Sequence, residues 1–218
     1  MGTITRSFAN NITTSGVLLP ASLTNNSIAN VTAYNAAVAT GGMKLISTQT
    51  ASNSASISFT TGIDSTYKEY QFWFIDLNPV NNAADFNFNM STDGGSNYNV
   101  TKTTTYFVTY HNEADNSTTL SYSGGQDLAQ STNDQQLLNG IGSAADENGV
   151  GILQLFNPSS TTYVKHFISD GNTYNQGGDY SFRSFVGGYA NTTSAVNAVR
   201  FQFSSGNFDG TILMYGIV

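Results

Sequence analysis

Two imidazoles, 14 carboxylates and no thiol make up the reactive inventory of this chain. Hydrolytic chemistry needs a nucleophile with its base, a carboxylate pair or a metal site. His111 and His166 both fall in strand-like patterns, and neither stands in a ligand spacing such as H-E-x-x-H. His166 alternates with Val164 and Ile168, opposite Tyr163, Lys165 and Phe167, which is how one face of a strand reads. Hard oxygen ligands suited to calcium cluster at Asp93-Gly94-Gly95, Asp146-Glu147-Asn148 and Asp170-Gly171-Asn172. None has the spacing of a calcium loop, and Asp-Gly and Gly-Asn pairs are ordinary turn formers. The absence of Cys excludes disulfides, thiolate catalysis and zinc ribbons together. Asn-x-Ser/Thr triplets begin at Asn11, Asn25, Asn30, Asn89, Asn99, Asn116 and Asn191. With 25 Asn in a chain about one quarter Ser and Thr, roughly six arise by composition alone, so they carry no glycosylation signal. The residues predict no catalytic group, no metal and no cofactor.

The elements that would position any site come from a polar but weakly ionic chain. Of its 218 residues only 10% are charged, while Ser, Thr and Asn make up about a third. A net charge of -7 provides no source for phosphate neutralisation, which excludes nucleic acid as a partner. The most apolar runs, Phe72-Trp73-Phe74-Ile75 and Ile152-Leu153-Gln154-Leu155-Phe156, fall far short of the ~20 residues needed to span a bilayer, so no membrane span is expected. No signal peptide is visible at the start, and Arg6 stands where a myristoylation signal wants Ser or Thr.

The aromatic residues, 12% of the chain, are concentrated in alternating runs, which argues against disorder. Tyr70, Phe72 and Phe74 sit two apart, as do Phe86, Phe88 and Met90, Tyr106, Val108 and Tyr110, and Val199, Phe201 and Phe203. Period two with one apolar face means half-buried strands. Turn signals such as Asp93-Gly94-Gly95, Asn157-Pro158 and Ser205-Gly206-Asn207 separate them. Strands are expected near 44–49, 55–61, 69–77, 85–91, 102–110, 150–156, 162–169, 181–190, 197–204 and 210–217. The expected fold is all-β, an antiparallel two-sheet jelly-roll-like β-sandwich over 41–218, with an extended N-terminal arm over 1–40 and a long loop insertion at 111–148.

Two segments stand outside the strand pattern. Residues 1–40 carry isolated apolar side chains that cannot build a core alone. Either they add strands to the sandwich or cover a sheet edge, or they form an arm that docks on a neighbouring subunit, with Arg6, Phe8, Ile12, Val17, Leu18 and Leu19 as attachment residues. The 111–148 stretch is either an exposed binding surface, as long loops in compact domains commonly are, or an inserted pair of short strands or a helical turn. Tyr122, Asp127, Asp134 and Tyr174 are the candidates for exposed binding loops, the two tyrosines as rings for stacking on a glycan.

Thr3-Ile4-Thr5-Arg6-Ser7-Phe8-Ala9-Asn10-Asn11-Ile12-Thr13, Ile63-Asp64-Ser65-Thr66-Tyr67-Lys68-Glu69-Tyr70, Ser91-Thr92-Asp93-Gly94-Gly95-Ser96-Asn97-Tyr98 and the closing Gly210-Thr211-Ile212-Leu213-Met214-Tyr215-Gly216-Ile217 carry a likeness of texture and short phrases over nearly the whole chain. In these it resembles small virion structural proteins of tailed bacteriophages, common in marine phages and described as capsid decoration, head-fibre or tail-fibre proteins. The resemblance implies a non-enzymatic β-sandwich in the virion, assembled in the host cytoplasm, whose partner is the major capsid protein or another virion protein. A decoration or cement protein, a homo-oligomer and most simply a trimer, would bind the outer head surface and stabilise it. A tail or head fibre would instead present a loop to a host glycan, and a free carbohydrate-binding module is a third reading. Cement is placed first because the chain is short, has no shaft repeat or coiled coil and no separate receptor domain.

Overall fold

A computed structural model describes residues 42–176 and 179–218, together with a small hairpin of β1 (Ile12–Thr13) and β2 (Gly16–Val17). The chain divides into two compact units, Met1–Gly41 and Gly42–Val218. The second unit contains β3 (Met43–Ser54), β4 (Ile57–Phe59), β5 (Glu69–Pro79), β6 (Ala84–Ser91), β7 (Lys102–Asn112), β8 (Thr118–Tyr122) and β9 (Gln135–Ile141). It continues with β10 (Gly149–Phe156), β11 (Lys165–Asn175), β12 (Tyr180–Ala190), β13 (Ala198–Phe203) and β14 (Phe208–Ile217). The fold is all-β and every strand pair is antiparallel.

Eight strands form one sheet in the order β3-β14-β5-β10-β11-β12-β7-β8, and four form the other as β4-β13-β6-β9. Ladder pairing joins the two where β9 meets β11 at Ile141 and Asn175. Side-chain hydrogen bonds from Thr173 and Asn175 to Asn139 strengthen that corner, and Gln49 of β3 donates to the Ser58 carbonyl of β4 at the other edge. Chain order and sheet order interleave: β3, β5, β10 and β14 lie in the first sheet, and β4, β6, β9 and β13 in the second. This is a jelly-roll-like arrangement. Two hairpins interrupt it, β7–β8 after β6 and β11–β12 after β10, and both widen the first sheet.

Alternation explains the core. On β5 the buried residues Tyr70, Phe72 and Phe74 face Phe59, Phe86 and Phe201 of the second sheet, with ring centroids 5.1 to 5.4 Å apart for Phe74–Phe86, Phe72–Phe201 and Phe59–Phe72. The buried phase then shifts from Phe74 to Leu77, because Ile75 and Asp76 are both exposed and Asp76 adopts φ 51. The opposing strand matches it with a register break between Asp209 and Thr211, where Gly210 at φ 137 lies against the Asp76 carbonyl. Such a bulge re-aims the side chains beyond it.

Of the two expectations for 111–148, an exposed long loop or an inserted pair of short strands, the structure has the strands: the stretch holds β8 and β9, and the long loop insertion is corrected accordingly. β9 is a core strand, with Leu137, Leu138 and Ile141 fully buried. Its period-two signal is lost because Gly140 at φ 52 and register breaks against β6 put two adjacent leucines inside. Strand β8 gave no signal because all its residues are at least partly exposed.

Candidate functional site

The solvent face of the eight-stranded sheet is the most distinctive surface of the second unit. Strand register lines its residues into rows across the sheet. One row runs Trp73, Ile152, Asp170, Phe185, Phe107 and Tyr122 on β5, β10, β11, β12, β7 and β8. The next runs Val150, Asn172, Arg183, Thr109 and Leu120. Several are apolar and well exposed, with Phe107 40%, Val150 41%, Tyr122 58% and Leu120 74% accessible, and Ile168, two residues before Asp170 on the same face of β11, is 51% accessible. In an antiparallel sandwich this face is ordinarily polar.

An open cleft of ≈ 1130 Å³ crosses the face, bounded by Trp73 and Ile152 at one end and Leu120 at the other. At about 4.8 Å per strand, the five steps from β5 to β8 make it ~24 Å long. Its floor carries an ion pair. Arg183 Nε donates to Asp170 Oδ1 at 2.8 Å, Arg183 Nη2 donates to Asp170 Oδ2, and the guanidinium lies 4.7 Å from the Phe185 ring centroid. Fork geometry and the stacked ring fix the guanidinium plane. The hydrogen bond to Asp170, then the carboxylate charge, push the Arg183 pKa up. Trp73 is oriented at the cleft wall by donation from its Nε1 to Gln71 Oε1 at 3.1 Å and by the Tyr215 ring 5.7 Å away. The arrangement offers flat apolar rings beside paired donors and acceptors.

A smaller hollow of ≈ 300 Å³ adjoins it, lined by His111, Glu113, Asn148, Tyr174 and Asp179 among others. Tyr174 donates to Asp179 Oδ1 at 2.7 Å, and this hydrogen bond pushes its pKa up to about 12. His111 Nε2 lies 2.9 Å from Asp115 Oδ1, both side chains being exposed. His166 is exposed against the Tyr189 ring. Through the pairs His166–Tyr189 and His111–Ser181 the two histidines sit eight residues apart along β12, about 27 Å, so the fold does not bring them together. Among the described residues no group of three or more His, Asp or Glu side chains converges as a metal site.

The four loop candidates separate. Tyr122 lies on β8 and Tyr174 on β11, rather than in loops. Tyr122 donates to Asp127 Oδ2 at 2.5 Å, which raises its pKa. Asp134 is not displayed: its side chain is 22% accessible and is held by Asn89, Arg200 and Gln202. Of the arm candidates, Arg6, Phe8, Leu18 and Leu19 lie outside the described residues, and Ile12 pairs with Val17 across the small hairpin. Reading by alternation missed Trp73, Ile152, Asp170, Arg183 and Phe107. The available signal was the unbroken apolar run Phe72–Ile75 and the apolar Tyr106-Phe107-Val108, which alternation on one face leaves unexplained.

No protein-family model, curated protein or solved structure matches the chain.

Proposed function

We propose that this is a structural protein of a tailed-phage particle, a capsid decoration protein that docks through the solvent face of its eight-stranded sheet and stabilises the head. The observation carrying this reading is the run of exposed apolar side chains across that face, Val150, Ile168, Phe107 and Leu120 foremost. These apolar side chains gather on one sheet face, on both sides of the Asp170–Arg183 pair, and a face so enriched marks an interaction site. The edge strand supports it: β3 pairs only with β14 among the described residues, and Met43 and Leu45 on it are 44% and 50% exposed. An open twelve-residue edge is a template for strand addition by a partner. Assembly as a homo-oligomer, a trimer in the simplest form, multiplies a standard interface of about 1,600 Å² per contact into particle-wide stabilisation. The test is co-sedimentation of purified protein with heads stripped of it. The pair Val150→Asp with Ile168→Asp, both at exposed positions, keeps the circular dichroism spectrum and loses binding. Undiminished binding by the pair refutes the docking face.

A second reading, a fibre that holds a host glycan, is favoured by the cleft itself. Trp73 and the Asp170–Arg183 fork have the combination of ring face and bidentate polar groups that suits sugar hydroxyls. Glycan binding by the isolated protein that Trp73→Ala abolishes selects this reading. Absence of such binding selects the first.

A further inference from the structure

The second unit buries two lysines completely, Lys102 and Lys165. Lys165 Nζ donates only to main-chain carbonyls, those of Tyr163 and Thr192 at 3.0 and 2.9 Å, and burial lowers its pKa. Lys102 is different. Its Nζ donates to the Val100 carbonyl at 2.8 Å and to the side-chain amide oxygen of Asn89 at 2.7 Å. Asn89 is itself only 1% exposed. With a carbonyl length of about 1.23 Å, the amine lies no more than ~3.9 Å from the Asn89 amide carbon, close to the 3–3.5 Å of a near-attack arrangement.

The rest of the amide is equipped as well. The Asn89 oxygen also accepts from the Met90 backbone N–H at 2.9 Å, a donor placed where an oxyanion would form. Asn89 Nδ2, the leaving nitrogen, donates to Asp134 Oδ1 at 2.7 Å and to the Thr132 carbonyl at 3.0 Å. Asp134 is aimed by Gln202 Nε2 at 2.7 Å and by Arg200 Nη2, which is 3.4 Å from each carboxylate oxygen. Arg200 is steadied over the Tyr98 ring at 4.8 Å.

We propose that Lys102 and Asn89 join in an intramolecular isopeptide bond between β7 and β6, with Asp134 relaying the proton. The neutral amine attacks the Asn89 amide carbon, and the Met90 N–H holds the resulting oxyanion. One proton leaves Nζ and, by way of the Asp134 carboxylate, reaches Nδ2. The Cγ–Nδ2 bond then breaks, ammonia departs, and a Cγ–Nζ amide remains. The sum is amine plus primary amide giving secondary amide plus ammonia, so no oxidant, metal or co-reactant is needed. Burial supplies the free amine: it pulls the Lys102 pKa down to about 8 against the opposing charge of Asp134. About a tenth of the amine is then unprotonated at pH 7. Burial also keeps water from competing for the amide.

Intact mass spectrometry of the purified full-length chain tests this directly. The protein is expected about 17 Da lighter than its sequence mass, one ammonia, allowing for removal of Met1. Trypsin is expected to fail after Lys102, leaving Glu69 to Lys165 as one piece in place of two. Lys102→Arg, Asn89→Ala and Asp134→Asn should each restore the full mass, the first two by removing a bonded partner and the third by removing the relay. A wild-type mass equal to the sequence, with normal cleavage after Lys102, overturns the proposal. A loss of 17 Da that persists in Lys102→Arg overturns it too, since that loss would come from cyclisation of Asn89 on its own backbone.

Discussion

Replacing Phe201 with Ala removes the hub of the aromatic core. Phe201 is fully buried on β13 and meets five rings: Phe74 at 5.2 Å, Phe72 at 5.3 Å, Phe86 at 5.8 Å, Phe59 at 6.3 Å and Phe88 at 6.4 Å between centroids. Phe72 and Phe74 belong to the eight-stranded sheet and the other three to the four-stranded sheet, so the ring fastens one to the other. A buried Phe→Ala change costs about 3–5 kcal/mol through lost transfer energy and the cavity left behind. Ring pairs add about 0.5–1.5 kcal/mol each beyond area, with incomplete additivity. A loss at the upper end, about 5 kcal/mol, follows, because β-sheet backbones on both sides hold the cavity open. That is a large part of the ~5–15 kcal/mol that stabilises a typical domain. Equilibrium urea unfolding followed by Trp73 fluorescence reads it as a shifted midpoint at constant slope. Phe201→Leu, which keeps most of the volume, should lose about 1–1.5 kcal/mol. A Phe201→Ala loss below ~2 kcal/mol, or one no greater than that of the 69% exposed Tyr163→Ala, would refute the two-sheet packing described above.

Adjacent glycines on β12 give an internal control. A Cβ on Gly188 would meet Thr104 Cγ2 at 2.6 Å and Phe167 Cζ at 2.8 Å, whereas on Gly187 the nearest atom is Thr105 Oγ1 at 3.6 Å. Gly188→Ala should therefore cost about 1–3 kcal/mol in thermal unfolding and Gly187→Ala nothing measurable. Asp93 accepts from Ser91 and Asn97, which hold its pKa down to about 2. A carboxyl depressed in the folded state stabilises it above the ordinary value of 3.8, and that contribution is lost as pH falls through about 2, so carboxyl NMR should show Asp93 still ionised at pH 3. The exposed Arg183–Asp170 pair should matter little to stability, with Arg183→Ala changing unfolding by no more than about 1 kcal/mol and less in high salt.

Much of the fold is legible from alternation alone. β5, β6, β7, β10, β12, β13 and β14 fall where Tyr70-Phe72-Phe74, Phe86-Phe88-Met90 and their counterparts place them, because each such strand buries one face. β11 begins later and ends later than its pattern suggests, since Tyr163 is a loop residue and Asp170-Gly171-Asn172 continues the strand instead of turning. The Asp-Gly-Asn signature reports local turn preference, which pairing with both β10 and β12 overrides. β9 was hidden by its bulge and β8 by its exposure. The site was the least legible part. Asp170 and Arg183 are 13 residues apart, and only strand register makes them neighbours. The same holds for Asn89, Lys102 and Asp134, which lie on two strands and a loop and converge only when the sheets close.

Imaging the particle at subnanometre resolution tests the central proposal most directly. The account predicts density for this β-sandwich on the outer surface of the head, with the face bearing Val150, Ile168 and Phe107 turned toward the capsid shell. Density confined to the tail, or a head-bound sandwich with that face turned to solvent, would contradict it.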